Sequence, residues 1–279
     1  MQRLPCPLDF GSLLATMTWI FEGLSAVVWN VVGGAIVAGL TLAVQNIRKR
    51  LRRRSFRKVF GDVAEAEYYL IYGSFLSPSR ETVYHKQRPQ VPRRSSSATN
   101  LTTVHSVSAT RSVSYLAFEI GSNSETSPRI ISDVDADPLM DISFISIGGL
   151  TNHKTVDLLD NEENVFLDFG NESIVSKTSR EAIVLADSEV DYGIILKISP
   201  FDNPRRTWIC CAGFGEWGTS GAAWWISRNW RTIYRRAKCK PFACITRTRV
   251  GSDDSTRMVH LFLSAQETQN AAREVHISQ

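Results

Sequence analysis

The sequence lacks the spacings that announce common catalytic machinery. It has no G-x-S-x-G elbow, no Walker A lysine motif and no H-E-x-x-H. Those absences exclude the ordinary forms of α/β-hydrolases, P-loop NTPases and zincin proteases. The five cysteines, Cys6, Cys210, Cys211, Cys239 and Cys244, form no CxxC pair and no Cys/His ligand spacing, which argues against a zinc site. Cys210 and Cys211 are adjacent in an apolar run and read as small buried hydrophobes. Basic charge is also scarce where a nucleic-acid-binding domain would need it. Residues 1–58 hold nine basic and two acidic residues, whereas residues 59–279 hold 23 basic and 26 acidic ones. The net charge of +4 therefore comes from the N-terminal segment, and no nucleic-acid partner is expected. Finally, residues 23–44 carry no charge at all.

That uncharged run is what the chain does have. As a helix its 22 residues span roughly 33 Å, close to the hydrocarbon thickness of a bilayer. Behind it come Arg48, Lys49, Arg50, Arg52, Arg53, Arg54, Arg57 and Lys58. Basic residues flank membrane spans on the cytoplasmic side. The expectation is a single-pass plasma-membrane protein with its N-terminus outside and its C-terminal domain in the cytosol. A cleaved signal peptide would place the charge before a shorter apolar run. A buried soluble helix is the remaining alternative. Residues 8–21 are apolar too but are set off by Glu22, and they read as an interfacial segment. The basic block suits anionic headgroups, at about 1 kcal/mol per residue near the surface, or serves only as an orientation signal. Gly33, Gly34 and Ala38 permit close helix–helix approach, so self-association is a partner expectation.

The rest divides by composition into a short N-terminal segment (1–22), the span (23–44), a basic juxtamembrane segment (45–58), a cytosolic domain (59–264) and a polar tail (265–279). Residues 68–75 read as a first strand. Residues 76–110, rich in Ser, Thr, Pro and Arg, read as a long loop. Strand-like runs follow at 129–133, 141–147, 165–169, 192–198, 208–212, 242–250 and 258–263. Helical patterns fall at 111–120, with Gly121 as C-cap, and at 151–159 and 217–237. The apolar runs ISFISI, GIILKI and TWICCA resemble strands buried on both faces. The fold class expected is α/β: one transmembrane helix, then a three-layer Rossmann-like domain with a mostly parallel sheet.

The chemistry is expected at two glycine turns. In RTWICCAGFGEWGTSGAAWW an apolar strand leads through Gly213, Gly215 and Gly218 into a helix. Glycines let backbone approach an anion, and the free amides and dipole of a helix N-terminus favour it. Thr219 and Ser220 add hydroxyls, as donors or as caps, and Glu216 is placed to bond a sugar hydroxyl. The competing reading is a glycine turn made for packing alone. In DISFISIGGLTNHKTVDLL a second strand ends in Gly148-Gly149, followed by Asn152 as candidate N-cap and by His153 and Thr155. His153 also reads as an exposed loop histidine. In a parallel sheet both turns lie at the carboxyl edge, where ligands bind, and Tyr72 and Ser74 at the end of the first strand form a third wall. The aspartates 133, 135, 137 and 141 either hold Mg²⁺ or form a polar strand-exit loop. Asp253-Asp254 reads as a hairpin turn.

Gly148-Gly149 after one strand and AGFGEWGT after another, over roughly residues 111–250, resemble the nucleotide-binding superfamily of lysine-decarboxylase-like phosphoribohydrolases and nucleoside deoxyribosyltransferases. The general plan is similar to membrane-anchored Rossmann-like domains of bacterial defence and nucleotide-sensing systems. The resemblance implies a nucleotide-like ligand. The phosphoribohydrolase pattern sets a catalytic glutamate three residues after the Gly-Thr threonine. Here Gly218-Thr219 matches and that position is Ala222, which speaks against the same N-glycosidic cleavage and leaves Glu216 as the alternative acid/base. The functions expected are a membrane-anchored nucleotide sensor, or a glycosidic-bond enzyme, or an interaction module.

Overall fold

The computed structural model describes residues 10–61, 68–73, 98–124, 126–136, 142–202 and 204–277. Ser74, Asp137 and Asp141, together with most of the expected 76–110 loop, lie outside them. The chain divides into two compact units, Met1–Arg52 and Arg53–Gln279.

The first unit is helical throughout its described part. Helix α1 runs Phe10–Phe60 without a break at Glu22, a good helix former. Val31, Ile36, Val37 and Leu40 are exposed. Within the stretch Val31–Phe60 an 18-residue window has a mean hydropathy of 1.4, so the helix is long and apolar enough to cross a membrane.

The second unit is built on a seven-stranded sheet in the order β10-β9-β7-β8-β3-β1-β2. Its strands are β1 (Tyr68–Tyr72), β2 (Arg129–Ser132), β3 (Ser143–Ile147), β7 (Val190–Ile198), β8 (Trp208–Gly213), β9 (Phe242–Arg249) and β10 (Ser252–Phe262). Strands β8, β3, β1 and β2 are parallel, and β7 runs antiparallel to both β8 and β9. The sheet is thus parallel over one half only. The connection from β7 to β8 is too short for the crossover of a dozen or more residues that a parallel pair needs. Strands β9 and β10 form a hairpin that turns at Val250 and Gly251, the latter at φ +93°. The expected turn at Asp253-Asp254 lies inside β10, where Asp253 is buried. A second, antiparallel sheet joins β4 (Leu167–Phe169), β5 (Ser173–Ser176) and β6 (Ala182–Leu185). Strands β5 and β6 are four residues each, too short to declare themselves by alternation.

Both faces of the large sheet are covered. On one face Leu70, Ile145, Ile195, Ile209 and Cys211 meet helix α2 (Ala98–Asn123) through Leu116 and Ile120. They also meet helix α5 (Glu216–Ala237) through Ala222, Ile226 and Trp230. The other face carries Ile71, Phe144, Ile194, Leu196 and Cys210. It packs on helix α4 (His153–Asp160), helix α6 (Ala265–Ile277) and the small sheet. The short helix α3 (Asp133–Ala136) follows β2. Cys210 and Cys211 point to opposite faces, and both are free and fully buried, as their apolar setting implied. The tail read as polar is helical, with Thr268 and Ala272 buried.

Helix α2 corrects two expectations. It begins at Ala98, inside the stretch read as a loop, and it continues through Gly121 to Asn123. Its buried stripe is partly polar, with Ser108, Ser112, Glu119 and Asn123 buried beside Leu116 and Ile120. Ser112, Ser114 and Ser122 donate to carbonyls four residues back, so residues that compete with helix elsewhere are satisfied within it. The sequence pattern therefore revealed only its stretch 111–120.

The last turn of α1 belongs to the core of this unit. Phe56, Val59 and Phe60 are fully buried. The ammonium of Lys197 on β7 donates to the Lys58 carbonyl at 2.7 Å, satisfying one of the orphan carbonyls of a helix end. Burial lowers the Lys197 pKa from 10.5 to about 8, with the charge of Cys239 opposing the shift. Between those two values the unfolded chain holds the proton more tightly than the native one, so this group's contribution to stability rises with pH. In residues 53–279 we expect stability relative to Lys197→Met to increase by about 2 kcal/mol between pH 7.5 and 10, read from urea midpoints. A constant difference between the two proteins would refute the assignment.

Candidate functional site

The carboxyl ends of β1, β3 and β8 meet at one edge. The Gly73 amide donates to the Ile147 carbonyl at 3.4 Å, and the Gly148 amide donates to the Cys211 carbonyl at 3.1 Å. Gly148 sits at φ +128°, a conformation that L side chains avoid. A Cβ on Gly149 would lie 3.0 Å from the Gly213 carbonyl oxygen, so the two glycine turns are in direct contact. Tyr72 ends β1 half-buried at the same edge.

Asn152 is the N-cap of α4, as its position implied. Its side-chain oxygen accepts from the amides of Lys154 and Thr155, at 2.9 and 3.3 Å. Its amide nitrogen donates to the carbonyls of Ile71 and Ile147, at 3.1 and 3.0 Å. The side chain thus ties the ends of β1 and β3 to the helix. It is fully buried and already engaged, so it frames the wall without offering itself to a ligand. Thr155 is likewise occupied, donating to the Gly148 carbonyl and paired with Ser146 at 2.6 Å.

The second turn differs more from expectation. The first-turn amides of α5 already hold a carboxylate. Asp191, at the start of β7, accepts from Gly215 N at 3.1 Å and from Gly218 N at 2.7 Å. An acid is favourable at a helix N-terminus, and here the protein supplies its own. Burial raises the Asp191 carboxyl above its ordinary value, against the pull of the two amides, and the charge of Glu216 adds to the rise. Glu216 stands in the first turn of α5, and its carbonyl accepts from Ser108 at 2.8 Å. Thr219 donates to the Gly215 carbonyl at 3.1 Å, and Ser220, fully buried, donates to Asp253 at 2.5 Å. These two hydroxyls face inward, which corrects their reading as ligand donors. A Cβ on Gly213, Gly215 or Gly218 would meet β7 or α5 at 2.4–2.7 Å.

Two clusters escaped the sequence. The guanidinium of Arg111 on α2 lies 4.1 Å over the ring of Trp217, donates to Ser220 at 3.2 Å and sits 3.3 Å from Asp253. Tyr115 also donates to Asp253, at 3.1 Å. The signal would have been an acid spaced far from its partners, which no local motif encodes. The second cluster pairs two residues singled out separately. Asp133, 1 % exposed, accepts from the His153 amide at 3.1 Å and lies 4.0 Å from its Nδ1. Asp135 is held by Ser132 at 2.7 Å, and Asp137 and Asp141 of the acidic run lie outside the described residues. Among the described residues no three His, Cys, Asp or Glu side chains are grouped to hold a metal.

A cavity of about 210 Å³ lies between α2 and α5, lined by Ser114, Tyr115, Phe118, Glu119, Ser227 and Arg228. It is smaller than the few hundred Å³ usual for a ligand site. Burial pushes the Cys210 thiol up to about 12 and raises Cys211 and Cys244 as well, so none of the three is a thiolate nucleophile at neutral pH. Neither a protein-family model nor a curated protein matches the chain, so this edge must be read from its own geometry.

Proposed function

We propose that the chain is a single-pass plasma-membrane protein whose cytosolic Rossmann-like domain binds a nucleotide or nucleoside-derived phosphate as a sensor. The observation that carries this reading is the convergence of three neighbouring parallel strands on one edge in the glycine turns of Gly73, Gly148-Gly149 and Gly213. Backbone without Cβ, at the carboxyl edge of parallel strands, suits an anionic ligand. Because Asp191 already fills the start of α5, the phosphate belongs over Gly148 and Gly149. Sensing is favoured over glycosidic cleavage because Ala222 stands fully buried where the resembling enzymes carry their glutamate. The basic residues 48–58 would hold anionic headgroups and fix the orientation.

The test is a thermal-shift screen of the detergent-solubilised chain against nucleotides, cyclic dinucleotides and sugar phosphates. A ligand at 100 times its Kd stabilises the fold by about 2.7 kcal/mol. Thr151 is exposed between the Gly-Gly turn and α4. Thr151→Trp should therefore leave the melting temperature intact and abolish the shift. A panel without any shift would move the reading to an interaction module, which the packing role of Gly213, Gly215 and Gly218 favours.

A further inference from the structure

Residues 59–279 carry more acid than base, yet one end of the second unit is basic. Strand β7 leaves the sheet at Ile198, beside Trp208, where β8 enters it. Thr207 N donates to Ser143 Oγ at 3.2 Å, so the 199–207 link returns where β3 begins. That is the end away from the glycine turns, about 17 Å off along a five-residue strand. The last turns of α1 and α5 reach the same end. A Cβ on Gly61, just past α1, would lie 2.6 Å from Thr207 Cβ. Lys197 bonds the Lys58 carbonyl there, and Lys58 Nζ stands 6.0 Å over the Tyr234 ring of α5. Segments 199–207 and 231–241 together hold seven basic residues and one acid, Asp202. Residues 53–61 add four basic residues, and the three acids of 62–67 leave the balance positive. Arg54, Arg205, Arg236, Lys238 and Lys240 are exposed, and among the described residues no carboxylate pairs with them. The arginines that close α5 also complement its dipole, but Arg205, Lys238 and Lys240 lie outside the helix. Phe201 in the same link is 82 % exposed, more than any other large apolar side chain described in this unit. Unneutralised cations beside an uncovered aromatic ring match the make-up of surfaces that lie in a bilayer interface.

We infer that this basic end of the second unit docks on an anionic lipid surface, with its cations on the headgroups and Phe201 at the acyl boundary. The inference rests on the reading of α1 as a membrane span and is independent of the ligand. It adds to the linear block 48–58 a patch that exists only once the chain has folded. Eight residues, 45–52, separate the uncharged run from Arg53. Even fully extended they cover no more than about 29 Å. The tether makes docking an intramolecular step, so contacts too weak to hold a free protein suffice. Each basic residue near such a surface gains about fivefold in occupancy. Docked in this way, the unit turns its glycine edge away from the lipid.

The experiment uses the full chain reconstituted into vesicles of phosphatidylcholine, alone or with phosphatidylserine in a roughly 3:1 ratio that imitates an anionic leaflet. Cys239 is exposed while Cys210, Cys211 and Cys244 are buried, so in a Cys6→Ser background a fluorophore goes to Cys239 alone. A lipid with a nitroxide on its headgroup reports contact by quenching. Phosphatidylserine should raise the quenching at Cys239, and high salt should reverse the rise. A label on Thr151→Cys, in a Cys239→Ser background, should stay unquenched at the glycine edge. Arg205→Glu combined with Lys240→Glu should lower the ratio of docked to free units at least about 25-fold. Phe201→Ser should lower the quenching as well, and neither variant should change the melting temperature. Equal quenching at Cys239 with and without phosphatidylserine overturns the inference and leaves the patch to an acidic protein partner. Quenching of the Thr151→Cys label instead overturns it too. A rise that persists in both variants assigns the response to the linear block and likewise overturns it. If alkaline carbonate strips the chain from the vesicles, the span reading and this inference fail together. A chain that is retained but unquenched at Cys239 refutes this inference alone.

Discussion

Replacing Phe56 with alanine should cost residues 53–279 about 3–5 kcal/mol of stability, the range for truncating a buried phenylalanine. The ring is fully buried. It stacks on Phe60 with centroids 4.3 Å apart and meets the edge of Trp230 at 5.3 Å and 87°. Such aromatic pairs add to the area they bury. The lost volume cannot be refilled by the neighbouring helix α5, because Trp230 is itself held by a 2.8 Å bond from its indole nitrogen to Glu119. The measurement is urea denaturation at neutral pH, with Phe118→Ala as control. Phe118 is 68 % exposed, and its truncation should change stability by no more than about 0.5 kcal/mol. Equal effects of the two substitutions would mean that the last turn of α1 is not part of the core. A soluble fragment begun at residue 59 would also lose Phe56, so ligand screens need one begun at Arg53 or earlier.

The four glycines where β7 meets α5 should separate into two groups. A Cβ on Gly193 would lie 2.2 Å from the Gly218 carbonyl oxygen, and one on Gly218 would lie 2.4 Å from that of Tyr192. One on Gly213 would lie 2.4 Å from Thr219 N. All three collisions are with backbone, which must move, so alanine at each should cost at least about 1–3 kcal/mol. Gly215 is different, since its Cβ would meet only the Asp191 carboxylate, at 2.7 Å. A side-chain tip can swing away, and the penalty is then the loss of its bonds to the two amides, again about 1–3 kcal/mol. Combination with Asp191→Ala separates the cases. Gly215→Ala should become nearly neutral once the carboxylate is gone, whereas Gly193→Ala should remain costly. A full additive penalty for Gly215→Ala in the Asp191→Ala background would show that the carboxylate is not what the glycine accommodates.

How much of this was legible depends on whether the signal is local. The uncharged run, the helices at α4 and α5, the Asn152 cap and the two-faced burial of β3, β7 and β8 all follow from spacing along the chain. The start of the compact unit was hidden in plain view. Phe56, Val59 and Phe60 have the i, i+3, i+4 spacing of an amphipathic face, but they stand among Arg53, Arg54, Arg57 and Lys58. The β9–β10 hairpin was read from its turn residues, but the direction of β7 left no local trace, with the short link before β8 as the available clue. Helix α2 was read only over 111–120, and its earlier part was obscured by polar residues such as the buried Ser108. At the candidate site the glycine turns were found and their shared edge foreseen. What filled the helix N-terminus was not, because Asp191 lies 24 residues before the Gly215 amide it accepts from.

One strand carries contacts to the ends of two helices. Asp191 takes the first amides of α5, and Lys197 takes the Lys58 carbonyl near the end of α1. Gly193 and Ile195 between them pack on the same side. All four are odd-numbered and alternate with Ile194, Leu196 and Ile198, which serve the opposite core. Inserting or deleting a single residue between Asp191 and Lys197 would turn one of the two charges into the opposite apolar layer and leave its helix end bare. Length changes during the evolution of this domain should therefore accumulate in its connections and be purged from β7.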